Sequence, residues 1–165
     1  MANNYSDIVL YGFSNIQIKK EGEISYRPLI GGISVQANIS TETMTATNAT
    51  RTFTLVSTTK AEGQLTLLEL TLDDRALLFG HTVKYISDMK TLEVSDTDIP
   101  PTFSLKFERQ KASGGKIIYE LPSVTFKSNS IEANTLQQGE VQEDTITIDF
   151  TINKEDEILY RIYEN

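Results

Sequence analysis

From Thr41 onward, threonine falls on every second residue. Thr41, Thr43, Thr45 and Thr47 alternate with Glu42, Met44 and Ala46; after Asn48 and Ala49, Thr50, Thr52 and Thr54 alternate with Arg51, Phe53 and Leu55. A period of two puts successive side chains on opposite faces of a strand, and no helix has that period. The branched Cβ of threonine also fits a pleated surface better than a helix. The stretch therefore predicts a long β-hairpin turning near residues 47–50. One face is a threonine ladder. The other is mixed and only partly apolar, unlike an ordinary core face.

The same period recurs near the C-terminus, where Thr145, Thr147, Asp149 and Thr151 alternate with Ile146, Ile148, Phe150 and Ile152. Thr102–Arg109 and Lys116–Lys127 read as further strands, with a turn at Ser113-Gly114-Gly115. Pro122 predicts a bend or an edge, because it cannot donate a ladder hydrogen bond. Gln138-Gly139 predicts a turn before the last long strand, and Glu157–Tyr163, with Ile158, Tyr160 and Ile162 in phase, a closing strand. Residues 88–101 read as a long loop or short hairpin ended by Pro100-Pro101.

One segment breaks the pattern. Within Leu70–Gly80, Asp73 or Asp74 can cap a helix, Leu77, Leu78 and Phe79 form an apolar face, and Gly80 suits a left-handed C-cap. A helix at about 73–79, roughly two turns long, is unstable alone and must pack on a sheet, plugging an open end or side. With 165 residues and no Pro-, Gly- or Ser-rich linker, the chain reads as a single domain over 1–165. The expected fold is mainly β, of β-sandwich or barrel type, with one short flanking helix and long hairpins.

Composition narrows the chemistry. The net charge is −8, which argues against a basic groove gripping phosphate. Residues 131–165 carry nine acids against two bases, whereas the first 130 residues carry fourteen against thirteen. With no Cys and a single His, Cys-based and multi-His metal sites are excluded. His81 follows the predicted C-cap, where a histidine meets free carbonyls. Asp96-Thr97-Asp98 opens like a calcium loop but lacks the Gly and the terminal Glu ligand. There is neither a Gly-x-Ser-x-Gly elbow nor a Walker loop. Phe103, Phe107, Arg109 and Lys111 come nearest to a base-stacking set and read as core plus a solvated edge. No catalytic site, metal or cofactor is expected. The sequons at Asn4, Asn38 and Asn48 read as chance in an Asn/Thr-rich chain. The start lacks the basic segment of a signal peptide, and no apolar run approaches the ~20 residues that span a bilayer.

The order of these pieces resembles a known family. Tyr11-Gly-Phe-Ser-Asn-Ile is similar to the opening of the phage major tail proteins of siphophages, the phi13-like tail tube family. Tyr26-Arg-Pro-Leu-Ile-Gly-Gly-Ile-Ser-Val matches its Pro and Gly-Gly strand, and Gly63-Gln-Leu-Thr-Leu-Leu-Glu-Leu its Gly-x-Leu element. Asp73-Asp-Arg-Ala-Leu-Leu-Phe-Gly-His-Thr-Val matches its acidic-capped helix. Asp98-Ile-Pro-Pro, Leu105-Lys-Phe107 and Gly115-Lys-Ile-Ile-Tyr follow in the family's order. After Asp98-Ile-Pro-Pro the chain departs from the family, with Thr-Phe-Ser-Leu in place of Tyr-x-Ala/Gly. The resemblance runs over about residues 9–153.

It implies a structural virion protein without enzymatic activity, made in the bacterial host cytoplasm and resident in the virion tail. Subunits would form stacked hexameric rings around an inner β-barrel through which DNA passes without specific binding. Partners would be other copies of the chain, the tape measure, the tail tip and the terminator. On this reading Thr41, Met44, Arg51, Phe53, Asp88 and Met89 lie at subunit or ring interfaces. Thr145, Thr147, Asp149, Thr151, Glu132 and Glu140 face the lumen. The alternatives are a tube protein of a contractile injection or secretion system, and a monomeric β-sandwich binding module.

Overall fold

The period-two segments form strands, one after another. The computed structural model describes residues 10–29, 32–48, 50–67, 70–127 and 146–165. Within them lie β1 (Leu10–Lys20), β2 (Arg27–Pro28), β3 (Gly32–Asn48), β4 (Arg51–Leu67), α1 (Leu72–Phe79), β5 (Thr82–Ile86), β6 (Met89–Glu93), β7 (Thr102–Lys111), β8 (Lys116–Phe126), β9 (Ile146–Ile152) and β10 (Arg161–Glu164). The mainly-β expectation holds. The expected turn at Gln138-Gly139 lies outside the described residues, as do Glu132, Glu140 and Thr145.

Eight strands form one antiparallel sheet in the order β2-β1-β7-β8-β9-β4-β3, with β10 also paired to β8; β5 and β6 form a separate hairpin. The second edge of β8 is divided. Its first half, Ile117–Glu120, pairs with β10, and its last three residues, Val124–Phe126, pair with β9. Pro122 stands in the gap between the two partners, opposite a register shift in β7. A proline was expected to bend or edge a strand, and here it sits inside one, where the second edge of β8 changes hands.

Because the sheet changes partners there, it curls, and β3 comes back within 8 Å (Cα–Cα) of β1. The concave side is the core. Ile16 and Ile18 of β1, Phe103 and Leu105 of β7, Leu121, Val124 and Phe126 of β8, and Ile148, Phe150 and Ile152 of β9 are buried there, with Leu65 and Leu67 of β4. Each such side chain contributes about 1.5–3 kcal/mol on burial. Phe126 ties neighbouring strands together, its ring centroid 5.7 Å from Phe103 of β7 and 5.9 Å from Phe150 of β9.

Helix α1 plugs this core with Leu78 and Phe79. Its cap differs from the expectation. Thr71, not Asp73 or Asp74, is the N-cap, its hydroxyl accepting from the Asp74 N–H at 3.1 Å. The two aspartates occupy the first turn instead, where they complement the helix dipole. Gly80 is the left-handed C-cap at φ 73°, and a Cβ there would meet the Ile99 carbonyl oxygen at 2.2 Å.

Two other expectations are corrected. The segment read as a long loop or short hairpin at residues 88–101 holds only the second strand of a hairpin that starts earlier, as β5–β6, and turns at Ser87 and Asp88 with φ 50° and 63°. That is the two-residue turn hairpins prefer, built without the Asn-Gly signal that announces it. The closing strand is also shorter. Asp156 and Glu157 adopt φ 49° and 67°, so Ile158 folds back to bridge Glu155, and pairing to β8 begins at Arg161.

Gly63 shows how tightly the body is packed. It lies opposite Phe150 in the β4–β9 ladder, and a Cβ on it would sit 2.4 Å from that ring and 2.3 Å from the Gln36 carbonyl oxygen. The aromatic ring covers the glycine, so neither neighbour has room to move. Gly63→Ala is expected to cost about 1–3 kcal/mol, read as a lower urea midpoint with an unchanged m-value.

Candidate functional site

The β3–β4 hairpin is the most unusual surface. Residues directly opposite in an antiparallel pair share a face. On the body, one face carries Gln36 opposite Gln64, Asn38 opposite Glu62 and Ser40 opposite Lys60; the other carries Val35 opposite Leu65, Ala37 opposite Gly63 and Ile39 opposite Ala61. The register then shifts, Thr41 pairing with Thr58, so that Thr59 is the extra residue of a bulge. Beyond the bulge the polarity of both faces inverts. The polar face continues as Met44 opposite Leu55 and Ala46 opposite Phe53, and the core face as Thr41, Thr43, Thr45 and Thr47 opposite Thr58, Val56, Thr54 and Thr52.

This distal half is an arm that leaves the body with both faces open. Met44, Phe53 and Leu55 are 61%, 53% and 62% exposed on the apolar face. Of the residues expected at subunit interfaces, Met44, Phe53 and Arg51 share this face, while Thr41 lies on the opposite one. Asp88 and Met89 belong to the β5–β6 hairpin, whose turn exposes Tyr85, Ile86 and Met89. That hairpin is held by a Lys84–Glu93 ion pair at 2.7 Å and tied to α1 through Lys90 and Asp73.

A second surface is the outward face of β9, β4 and the body half of β3. Thr147, Asp149 and Thr151 lie opposite Thr66, Gln64 and Glu62, next to Ser34, Gln36 and Asn38. The face is made of hydroxyls, amides and two carboxylates. Gln64 donates to Asp149 at 3.0 Å. Lys60 and Lys127, which reach this face, both pair with Glu62, at 2.7 and 3.6 Å. Of the residues expected to face the lumen, the three that are described share this one face.

Sequence reading missed a third cluster, on the outer face of β1, β7, β8 and β10. The Tyr26 hydroxyl donates to Glu120 at 2.9 Å and lies 2.6 Å from the Ser104 hydroxyl. Tyr163 donates to the other Glu120 oxygen, and Arg161 stands 3.9 Å away. Lys19 and Lys106 flank the Tyr26 ring at 5.0 and 5.2 Å. Burial works against the Glu120 carboxylate, but the phenol hydrogen bonds and the charges of Arg161 and Lys106 outweigh it and hold its pKa below the ordinary glutamate value. Both phenols are raised, Tyr26 chiefly by burial and Tyr163 by its hydrogen bond to Glu120. Cross-strand register brings these groups together, and no local motif announces them.

His81 was expected against the helix carbonyls. Its backbone N–H does bond the Ala76 carbonyl oxygen at 2.9 Å, but its ring turns to Asp98, with Nδ1 2.7 Å from the carboxylate. Asp98 also accepts from the Ser95 N–H at 2.8 Å, and this backbone bond, with His81, lowers its pKa. The aspartate that opened like a calcium loop is thus occupied in closing residues 95–98 onto the helix end. Among the described residues no group of acids and histidines is arranged to hold a metal ion. No helix there is long and apolar enough to cross a membrane.

No family model matches the chain, and no curated protein matches it. Its fold is nevertheless a known one. The chain is similar to the anti-feeding prophage cap, a tube-terminating cap seen by cryo-EM, with a TM-score of 0.52 and 11% identity over 100% of both chains. The likeness is one of fold.

The Glu120 cluster pins β10 and the residue 21–28 loop to the sheet, so its titration bears on stability. Glu120 binds its proton more weakly folded than unfolded, so its stabilisation is complete above the unfolded glutamate value and is lost as pH falls through the lowered folded one. Thermal midpoints measured from about pH 7 to 3 are expected to fall less steeply in Glu120→Gln than in the parent chain.

Proposed function

We propose that this chain is a structural, non-catalytic protein of a phage-like tail: a tail tube subunit that assembles into stacked hexameric rings and lines the channel through which DNA passes. The observation that carries the reading is the polarity inversion of the β3–β4 hairpin. An arm with Met44, Phe53 and Leu55 on one open face is not the surface of a chain that works alone. The fold shared with a tube-terminating cap supports the same class.

The polar face of β9, β4 and β3 suits the channel wall. DNA must slide, so the wall should offer no unpaired cations to phosphate. Lys60 and Lys127 are neutralised by Glu62, and Asp149 adds a negative charge. Screening over ~8–10 Å confines the repulsion to the wall itself. Thr147, Asp149 and Thr151 would face the DNA, and the two exposed hairpins would meet neighbouring copies or the tape measure, tail tip and terminator. The protein would be made in the host cytoplasm and reside in the virion tail.

A second reading, a cap that ends a tube, rests on the likeness to such a cap over the whole of both chains. The two differ in what the pure protein builds. A tube subunit is expected to give hollow tubes in negative-stain electron microscopy, with a mass by light scattering and a thermal midpoint that rise with concentration. Single rings that never elongate would favour the cap. A strict monomer at every concentration, with a fixed midpoint, would overturn both readings in favour of a monomeric binding module.

A further inference from the structure

The chain carries, besides the apolar arm, an apolar recess. Where β3 lies over β8 and β10, the sheet leaves an open groove of about 460 Å³. Val35, Ala37 and Ile39 line it on one side and Tyr119, Tyr160 and Ile162 on the other. Tyr160 and Ile162, at its rim, are 52% and 55% exposed. Tyr119 is held in place by stacking on Phe107 at 5.1 Å.

The arm cannot fill the groove of its own chain. Its apolar residues project from the face of β3 opposite to Val35, Ala37 and Ile39. They also lie five residues beyond Ile39, about 17 Å further along the strand. A second copy meets both conditions. Charge agrees with this: Arg51 stands at the tip of the arm, Glu155, Asp156 and Glu157 are exposed just before Tyr160, and the groove lining itself holds one base, Arg109, and one acid, Glu120.

We infer that the Met44/Phe53/Leu55 face of one copy docks into the groove between β3 and β10 of the next. This deepens the tube reading and rests on it, by naming the surface that receives the arm. Knob and recess are different patches of one molecule, so the contact is head-to-tail and each docked pair is left with one free arm and one free groove. Such a contact repeats; a pairing of arm with arm would stop at two.

The test uses the full-length chain and two single variants, Phe53→Asp on the arm and Ile162→Asp in the groove. Both positions are more than half exposed, so in dilute protein, below the concentration at which the parent assembles, both variants are expected to keep the parent unfolding midpoint. Each alone is expected to stop at a smaller species by light scattering. An equimolar mixture is expected to double that mass and go no further, because one intact arm and one intact groove remain. As a check independent of the charged substitutions, Phe53→Cys mixed with Ile162→Cys should form an intermolecular disulfide, the chain having no cysteine of its own. If Ile162→Asp assembles like the parent chain and the cysteines fail to cross-link, the docking is wrong while the tube reading stands. If the parent chain never assembles, both are wrong.

Discussion

The division of one strand edge organises this protein. β8 pairs with β7 from Lys116 to Thr125 across a register shift, but on its other side it gives Ile117–Glu120 to β10 and Val124–Phe126 to β9. An antiparallel ladder can have one partner per edge at any residue, so the sheet must part at the gap. Pro122 sits there and has no N–H to leave unpaired. β9 carries β4 and β3 away from β10, and the resulting curl makes both the core and the groove. Had β9 paired along all of β8, the sheet would have lacked the opening that the core and α1 fill.

The second organising feature is the bulge at Thr59. An ordinary hairpin keeps one face apolar throughout, because one face meets the core throughout. Here the body of β3–β4 obeys that rule with Val35, Leu65 and Ile39, and the arm reverses it with Met44, Leu55 and Phe53. The bulge keeps the two strands in phase, so the reversal occurs on both at once and makes a coherent patch instead of scattered apolar residues. A long, open, apolar-faced hairpin is an aggregation hazard in a monomer. On the proposed tube reading the same feature is the source of association, and the surrounding net charge of −8 opposes indiscriminate clustering.

The polar surfaces divide by how their groups are satisfied. On the face of β9 and β4 the amides, hydroxyls and carboxylates bond mainly to one another across the strands, at Gln64–Asp149 and Thr66–Thr147. On the other outer face, Glu120 and Glu108 act as anchors: Glu120 takes two phenols, and Glu108 takes Asn15 and Lys116 at 3.1 and 3.0 Å. The first arrangement leaves a smooth wall, and the second fastens the C-terminal strand and the 21–28 loop. The second couples to pH, because there carboxylates with lowered pKa hold separate elements together.

Most of the secondary structure was legible in the chain, since a strand's period of two is a local property. Thr41–Leu55, Ile146–Ile152 and the turn at Ser113–Gly115 needed no tertiary knowledge, nor did the left-handed cap at Gly80. The alternation also placed Thr147, Asp149 and Thr151 together on one face. What the tertiary structure decided was everything set by pairing at a distance. The Thr71 cap, the turn at Ser87-Asp88 and the fold-back at Asp156-Glu157 are choices among locally equivalent residues, settled by packing. The Tyr26–Ser104–Glu120–Tyr163 cluster spans more than a hundred residues of sequence and exists only through register. The meaning of the mixed face of the long hairpin was hidden for the same reason. Sequence shows that Met44 and Phe53 alternate with threonine, but only the register across the Thr59 bulge shows that they align on one face and that this face is polar on the body. A local pattern follows from the geometry of one strand, whereas the sidedness of a surface follows from which strands meet and in what register.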